Sequence, residues 1–151
     1  MSNDNALSAS LEDYLEAITR IADAGEVVRT KCIAKDLGIR NASVTGALHS
    51  LSKKGFINYE PYGSISLTSK GLRTGRELLR SHHALRDFLM TVLGVESARA
   101  DTVACSMEHV MPPDVMRRFV RFAQAQKACP ANRAHCSQSG AAIPQAQELD
   151  A

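Results

Sequence analysis

Between Gly55 and Thr68 the apolar residues stop recurring every three to four positions and begin to alternate. This change of period constrains the fold more than any other feature of the chain. Phe56-Ile57-Asn58-Tyr59 and Ile65-Ser66-Leu67 alternate around Glu60-Pro61-Tyr62-Gly63-Ser64, which predicts two short strands joined by a Pro/Gly turn. Upstream, Ser10-x-x-Asp13 opens a stripe of Leu11, Tyr14, Leu15, Ile18 and Ile21 at helical spacing, which should stop near Gly25. Thr30 is expected to cap a short helix through Leu37, closed by Gly38. Asn41 should cap another, with Val44, Leu48 and Leu51 buried and Gly55 as its stop. Two short helices about a tight turn, followed by a hairpin, make a winged helix-turn-helix.

Downstream, Thr68 is expected to cap a long helix with Leu72, Leu79, Leu85, Phe88, Leu89 and Val92 among its apolar positions, ending at Gly94. Asp101 should begin the next helix, and Pro112-Pro113 should end it. A last helix is predicted from about Asp114 to Gln126, with Val115, Phe119 and Phe122 inward. Residues beyond Pro130 have no periodicity and read as a mobile tail. The fold class is mainly α: a winged helix over residues 1–70, a helical unit over 71–127, and a tail over 128–151. With 151 residues, 44% of them hydrophobic, the chain can build one good core or two small ones. No apolar run approaches the ~20 residues of a membrane span, and MSNDN is not a signal peptide. A cytoplasmic protein is expected, in which four cysteines serve as thiols or ligands rather than as a disulfide framework.

The net charge of +2 conceals unlike segments. Residues 1–28 hold one Arg against six acids, residues 29–80 hold ten Lys/Arg against three acids, and residues 81–151 hold seven of each. A basic middle beside an acidic start suits a module that binds a polyanion. In a helix-turn-helix the second helix enters the major groove led by its N-terminal residues, so Arg40, Asn41, Ser43 and Thr45 are candidates for phosphate and base contacts. Lys53, Lys54 and the wing at Tyr62-Gly63-Ser64 would meet the DNA backbone.

Cys105-x-x-Glu108-His109 carries the second signal. Offsets of three and four put these side chains on one helical face. A thiolate, a carboxylate and an imidazole together suit a divalent transition metal better than calcium or magnesium. Asp13 and Glu16 on the first helix and His82 on the long one complete a set if three helices converge. Taken singly, each has an ordinary role: Asp13 as a counter-charge to the helix N-terminus, Glu16 and His82 as solvated surface groups, Cys105 as a small buried apolar group. Their joint occurrence favours metal. Cys129, His135 and Cys136 in the tail could hold a second metal or oxidise. Two rival readings are a metal-independent thiol sensor using Cys32, Cys105, Cys129 and Cys136, and a zinc hydrolase. The hydrolase lacks a His-Glu-x-x-His segment, and no enzymatic activity is expected.

Leu11-Glu-Asp-Tyr-Leu-Glu-Ala-Ile18, Val28-Arg-Thr-Lys31, Ala42-Ser-Val-Thr45, Lys54-Gly-Phe-Ile57, Tyr59-Glu-Pro-Tyr-Gly63, Leu67-Thr68 and Cys105-Ser-Met-Glu-His-Val-Met111 resemble the diphtheria toxin repressor family of metal-dependent transcriptional regulators, which includes the manganese transport regulators. The resemblance covers roughly residues 10–125. It implies a homodimer formed through the helical unit, a pseudo-palindromic operator in double-stranded DNA, metal-dependent repression, and metal uptake genes as targets.

The same resemblance carries the ligand role to Asp13, Glu16, His82, Cys105, Glu108 and His109. Asp13 and Glu16 match the carboxylates of manganese members, whereas iron members have Met in place of Asp13. Cys105 matches the iron members, and manganese members have Glu there. The set is a hybrid whose thiol favours Fe(II), with Mn(II) as the alternative; Zn(II), Co(II) and Ni(II) should bind at least as tightly in vitro. Arg86 stands where a second-site carboxylate is usual and Asp101 replaces a His of the iron branch, so a full second site of the usual kind is not expected, although a contribution from Asp101 stays open. Gly46 stands at a recognition-helix position where a longer polar residue is common, and the small C-terminal barrel of longer relatives should be absent.

Overall fold

The first helix, α1 (Ala9–Asp23), lays its apolar stripe against a helical pair, α2 (Thr30–Leu37) and α3 (Asn41–Lys53). The structure, a computed structural model, describes residues 7–60 and 63–128. Leu15 and Ile18 of α1, Ile33 of α2, and Val44, Leu48 and Leu51 of α3 are fully buried in one core, which Phe56 and Ile57 extend to the hairpin. Burying each of these side chains contributes about 1.5–3 kcal/mol relative to leaving it in water. The hairpin is short: β1 (Ile57–Asn58) pairs antiparallel with β2 (Ser66–Leu67), Ile57 opposite Leu67 and Asn58 opposite Ser66. Pro61 and Tyr62, at the tip predicted for the wing, lie outside the described residues.

The long helix α4 (Ser69–Thr91) is capped by Thr68, whose hydroxyl accepts from the Gly71 amide at 3.0 Å. Its first half is pressed onto the winged helix. A Cβ at Gly71 would collide with the Phe56 carbonyl oxygen, and one at Gly75 with Thr19 Oγ1, so only glycine permits this approach. Its second half joins α5 (Ser97–Val110) and α6 (Pro113–Ala128) around a smaller core of Leu85, Leu89, Ala100, Ala104 and Met116. Among the described residues no helix is long and apolar enough to cross a membrane.

Helix identity follows the sequence reading, whereas several ends and one face do not. Ser8, not Ser10, caps α1: its Oγ accepts from the Leu11 amide at 3.4 Å. Asp13 therefore sits past the first turn, where a counter-charge to the helix N-terminus is of little value. Thr30 and Asn41 are the first helical residues, and the extended Arg29 and Arg40 hold the cap positions without a side-chain bond. Helix α5 starts at Ser97 rather than Asp101, because the Glu96 carboxylate accepts from the Ala98 and Arg99 amides at 3.0 and 3.1 Å. In α6 the buried face is Met116, with Phe119 and Val120 packed beside it, while Val115 and Phe122 are 44% and 50% exposed. Val92, at the end of α4, is also exposed.

Candidate metal centre

Three helices bring the predicted ligands together, and they do so outside both apolar cores. The core of the winged helix draws on α1 and the smaller core on α5, but neither contains buried residues of both. What joins α1 to α5 is polar. His109 Nε2 lies 3.0 Å from Asp13 Oδ1 and 3.9 Å from Cys105 Sγ, and Sγ is 3.7 Å from the same Asp13 oxygen. His82 Nδ1 of α4 lies 3.3 Å from Glu108 Oε1, and Glu16 completes that second group. The six predicted residues thus form two groups of three, Asp13-Cys105-His109 and Glu16-His82-Glu108, the ligand atoms within each lying within 4.8 Å of one another. His109 Nε2 and Glu108 Oε1, 4.0 Å apart, mark the boundary between them.

The groups are crowded with like charge, and their proton affinities show it. Burial, reinforced by Glu108, pushes the Glu16 carboxyl up to about 7. Its hydrogen bond to Glu108 raises His82 to about 9, against burial and with help from Asp101. Burial and the carboxylates of Asp13 and Glu108 push the Cys105 thiol up to about 11. Burial pulls His109 down, but its hydrogen bonds to Glu12 and Asp13 outweigh that and the net direction is up. A thiol so reluctant to ionise is a poor nucleophile, which speaks against Cys105 as a peroxide sensor.

The donors fit a divalent transition ion. Glu16 Oε1 and Glu108 Oε2 are buried carboxylate oxygens without a hydrogen-bond partner. Such oxygens are costly to bury unless a proton or a cation satisfies them, and a cation serves both at once. A soft thiolate, two imidazoles and three carboxylates form a mixed set of the kind borderline divalent ions accept.

The sequence reading missed one neighbour and left another open. Glu12 Oε2 lies 2.8 Å from His109 Nδ1, and Asp101 Oδ1 lies 3.0 Å from His82 Nε2. Glu12 precedes Glu16 by one helical turn, an offset of four that could have placed it on the same face. Arg86, whose Nε is 3.6 Å from Asp101 Oδ1, donates through Nη2 to Ser97 Oγ at 3.1 Å and sets a guanidinium beside Asp101. Cys129, His135 and Cys136 lie outside the described residues.

The predicted DNA contacts lie on and beside α3. Arg40, Asn41, Ser43, Thr45 and Lys53 are exposed on α3 or at its start, and Lys54 is half-buried, its carbonyl accepting from Lys70 Nζ at 2.9 Å. Tyr62 lies outside the described residues. Between the start of α2, α3 and the hairpin runs a groove of about 700 Å³, lined by Arg29, Lys31, Asn41, Thr45, His49 and Tyr59 among others. Of the lining residues the sequence points to Asn41, Thr45, Gly63 and Ser64 by name and to Arg29 and Lys31 through the concentration of charge in residues 29–80, while His49 and Tyr59 carry no such signal. Tyr14 ties α1 to α3: it stands between Asp13 and Glu16 in the sequence, and its hydroxyl donates to the Ser43 carbonyl at 3.2 Å.

A winged helix-turn-helix joined by one long helix to a cluster of metal donors defines a metal-responsive DNA-binding regulator. Residues 6–65 match the iron dependent repressor N-terminal DNA binding domain, and residues 68–136 match the iron dependent repressor metal binding and dimerisation domain. The chain belongs to this family, that of the diphtheria toxin repressor, and is a metal-dependent transcriptional repressor of its type. Members bind DNA through the N-terminal domain and dimerise through the C-terminal one; they are transcriptional regulators, not enzymes. The chain is 34% identical over 122 residues to an HTH-type transcriptional regulator of Methanocaldococcus jannaschii, covering 80% of this chain and 98% of that one. It is 33% identical over 110 residues to the HTH-type transcriptional regulator MntR of Shouchella clausii, covering 73% and 76%. Among solved structures, T. acidophilum IdeR superposes with a TM-score of 0.60 at 25% identity, covering 73% of this chain and 52% of that one.

Proposed function

We propose that this repressor is switched by divalent metal held between α1, α4 and α5, with Asp13, Cys105 and His109 as one ligand group and Glu16, His82 and Glu108 as the other. The observation that carries this reading is the convergence of the six side chains around two buried, partnerless carboxylate oxygens, at a helix junction that neither apolar core bridges. A bound divalent cation supplies there a partner for the two carboxylate oxygens that no hydrogen bond reaches. Asp13 and Glu16 then hold α1 against Glu108 and His109 of α5 and His82 of α4. Because α1 also backs the helix-turn-helix, this fixes the recognition helices of a homodimer at the spacing of a pseudo-palindromic operator. Moving such an equilibrium from mostly inactive to mostly active takes about 5 kcal/mol, which a metal site can supply.

The working division is a winged helix over residues 1–70 and a metal-binding, dimerising helical unit over 71–127. Arg40, Asn41, Ser43, Thr45, Lys53, Lys54 and Tyr62 would contact DNA, and metal uptake genes are the targets. Fe(II) is the preferred ion, on the strength of the Cys105 thiol. Mn(II) is the second reading, favoured by Glu16-His82-Glu108, a group without sulfur.

The test is anaerobic DNA binding titrated with Fe(II) and with Mn(II), in the wild type and in Glu108→Ala and His109→Ala. Both variants should remain folded dimers and lose the metal-dependent gain in affinity. Wild-type activation in both would discard the site.

A further inference from the structure

Each histidine of the metal centre is gripped on both of its nitrogens, and the two grips differ in kind. On His82, Nδ1 faces Glu108 Oε1 at 3.3 Å within one ligand group, while Nε2 is turned away toward Asp101 Oδ1 at 3.0 Å. On His109, Nε2 faces Asp13 Oδ1 at 3.0 Å and Cys105 Sγ at 3.9 Å, while Nδ1 is turned toward Glu12 Oε2 at 2.8 Å. Neither Glu12 nor Asp101 belongs to either group of three; each lies at the ring nitrogen that points out of its group. A neutral imidazole keeps one N–H and offers one lone pair, so the nitrogen that donates to an outer carboxylate decides which nitrogen is left to ligate.

We propose that Glu12 and Asp101 are positioning residues that commit His109 to ligate through Nε2 and His82 through Nδ1, each by accepting the proton of the opposite nitrogen. This rests on the metal reading above. The two carboxylates are themselves placed for the task. Glu12 stands beside Asp13, so α1 supplies a ligand and a backing carboxylate to the same imidazole. Asp101 is flanked by the Arg86 guanidinium at 3.6 Å, and Arg86 is tied through Nη2 to Ser97 Oγ at the start of α5. A negative partner behind an imidazole raises its basicity and fixes its ring plane, and both effects strengthen its bond to a cation.

The experiment uses the full chain labelled with 15N-histidine and loaded with 113Cd(II), a diamagnetic probe whose coupling reports which nitrogen it touches. Coupling is expected at His82 Nδ1 and His109 Nε2, with the proton retained on His82 Nε2 and His109 Nδ1. Coupling at the opposite nitrogens would put the ion on the Glu12 and Asp101 side and overturn the proposal, with no variant needed. Glu12→Gln and Asp101→Asn keep the shape and remove the charge. Each should weaken Cd(II) binding roughly 10- to 100-fold, Glu12→Gln disturbing the His109 signals and Asp101→Asn those of His82. Wild-type affinity and signals in both variants would also overturn it, while leaving the ligand set standing. A wild type showing no coupling at either histidine would remove the metal reading and this inference together.

Discussion

Among the proposed ligands Cys105 is the one soft donor, beside hard carboxylates and borderline imidazoles, and its chemistry separates it from the rest. Burial, reinforced by the carboxylates of Asp13 and Glu108, holds its thiol up at about 11, so near neutrality ligation must displace a proton from sulfur. Replacing it by glutamate changes two quantities at once. The ligand becomes harder, so the Cys105→Glu response to Mn(II) should rise relative to Fe(II) in anaerobic DNA binding. The new carboxyl has a lower intrinsic pKa than the thiol, so fewer protons should leave on metal binding. Metal affinity of the wild type should therefore fall more steeply as pH drops from 8 to 6 than that of the variant. An unchanged ratio of Mn(II) to Fe(II) response would show that Cys105 does not discriminate between the ions, and the preference for iron would lose its support.

Helix α1 links the two functional faces, and its role could only partly be read from its residues. Its apolar stripe is unambiguous because Leu15 and Ile18 recur at helical spacing, and both are fully buried. The clustering of Cys105, Glu108 and His109 on α5 was legible for a similar reason: they lie within two turns, where spacing alone fixes a shared face. Glu12 was not, because its partner His109 is 97 residues away and no local rule says which acid of Glu12-Asp13 meets it. The face of α6 failed differently. Val115 and Phe122 form a stripe as apolar as Met116, Phe119 and Val120, and composition does not say which packs within the chain. Tyr14 was placed correctly as a stripe residue, but its hydroxyl bond to the Ser43 carbonyl depends on tertiary placement. That bond connects the backbone between Asp13 and Glu16 to the first turn of the recognition helix. Tyr14→Phe keeps the ring in the core and removes only the bond, whose net worth is about 0.5–1.5 kcal/mol. Metal affinity should stay unchanged, while the metal-dependent gain in DNA affinity should fall about two- to tenfold. Unaltered activation in calorimetry and anisotropy run side by side would leave Tyr14 a core residue only.

Charge divides the molecule in two. Of the six acids in residues 1–28, Glu12, Asp13 and Glu16 meet residues of α4 and α5. Of the ten Lys/Arg of residues 29–80, Arg29 and Lys31 line the groove beside α3 and Arg40 and Lys53 stand at the two ends of that helix, which makes this the positive surface of the winged helix. Phosphate contacts made by such a surface release counterions, so operator affinity should fall steeply with salt, by a logarithmic slope of about 0.9 for each phosphate neutralised. Arg40→Ala combined with Lys53→Ala should lower that slope by up to about two for each chain bound. The loss should be similar on operator and unrelated duplex, because phosphate contacts carry no sequence information. A base contact would behave otherwise: its loss would lower operator affinity, spare the unrelated duplex and leave the slope nearly intact. Fluorescence anisotropy on both duplexes across a salt series separates these cases, and full wild-type salt dependence in the double variant would remove Arg40 and Lys53 from the interface.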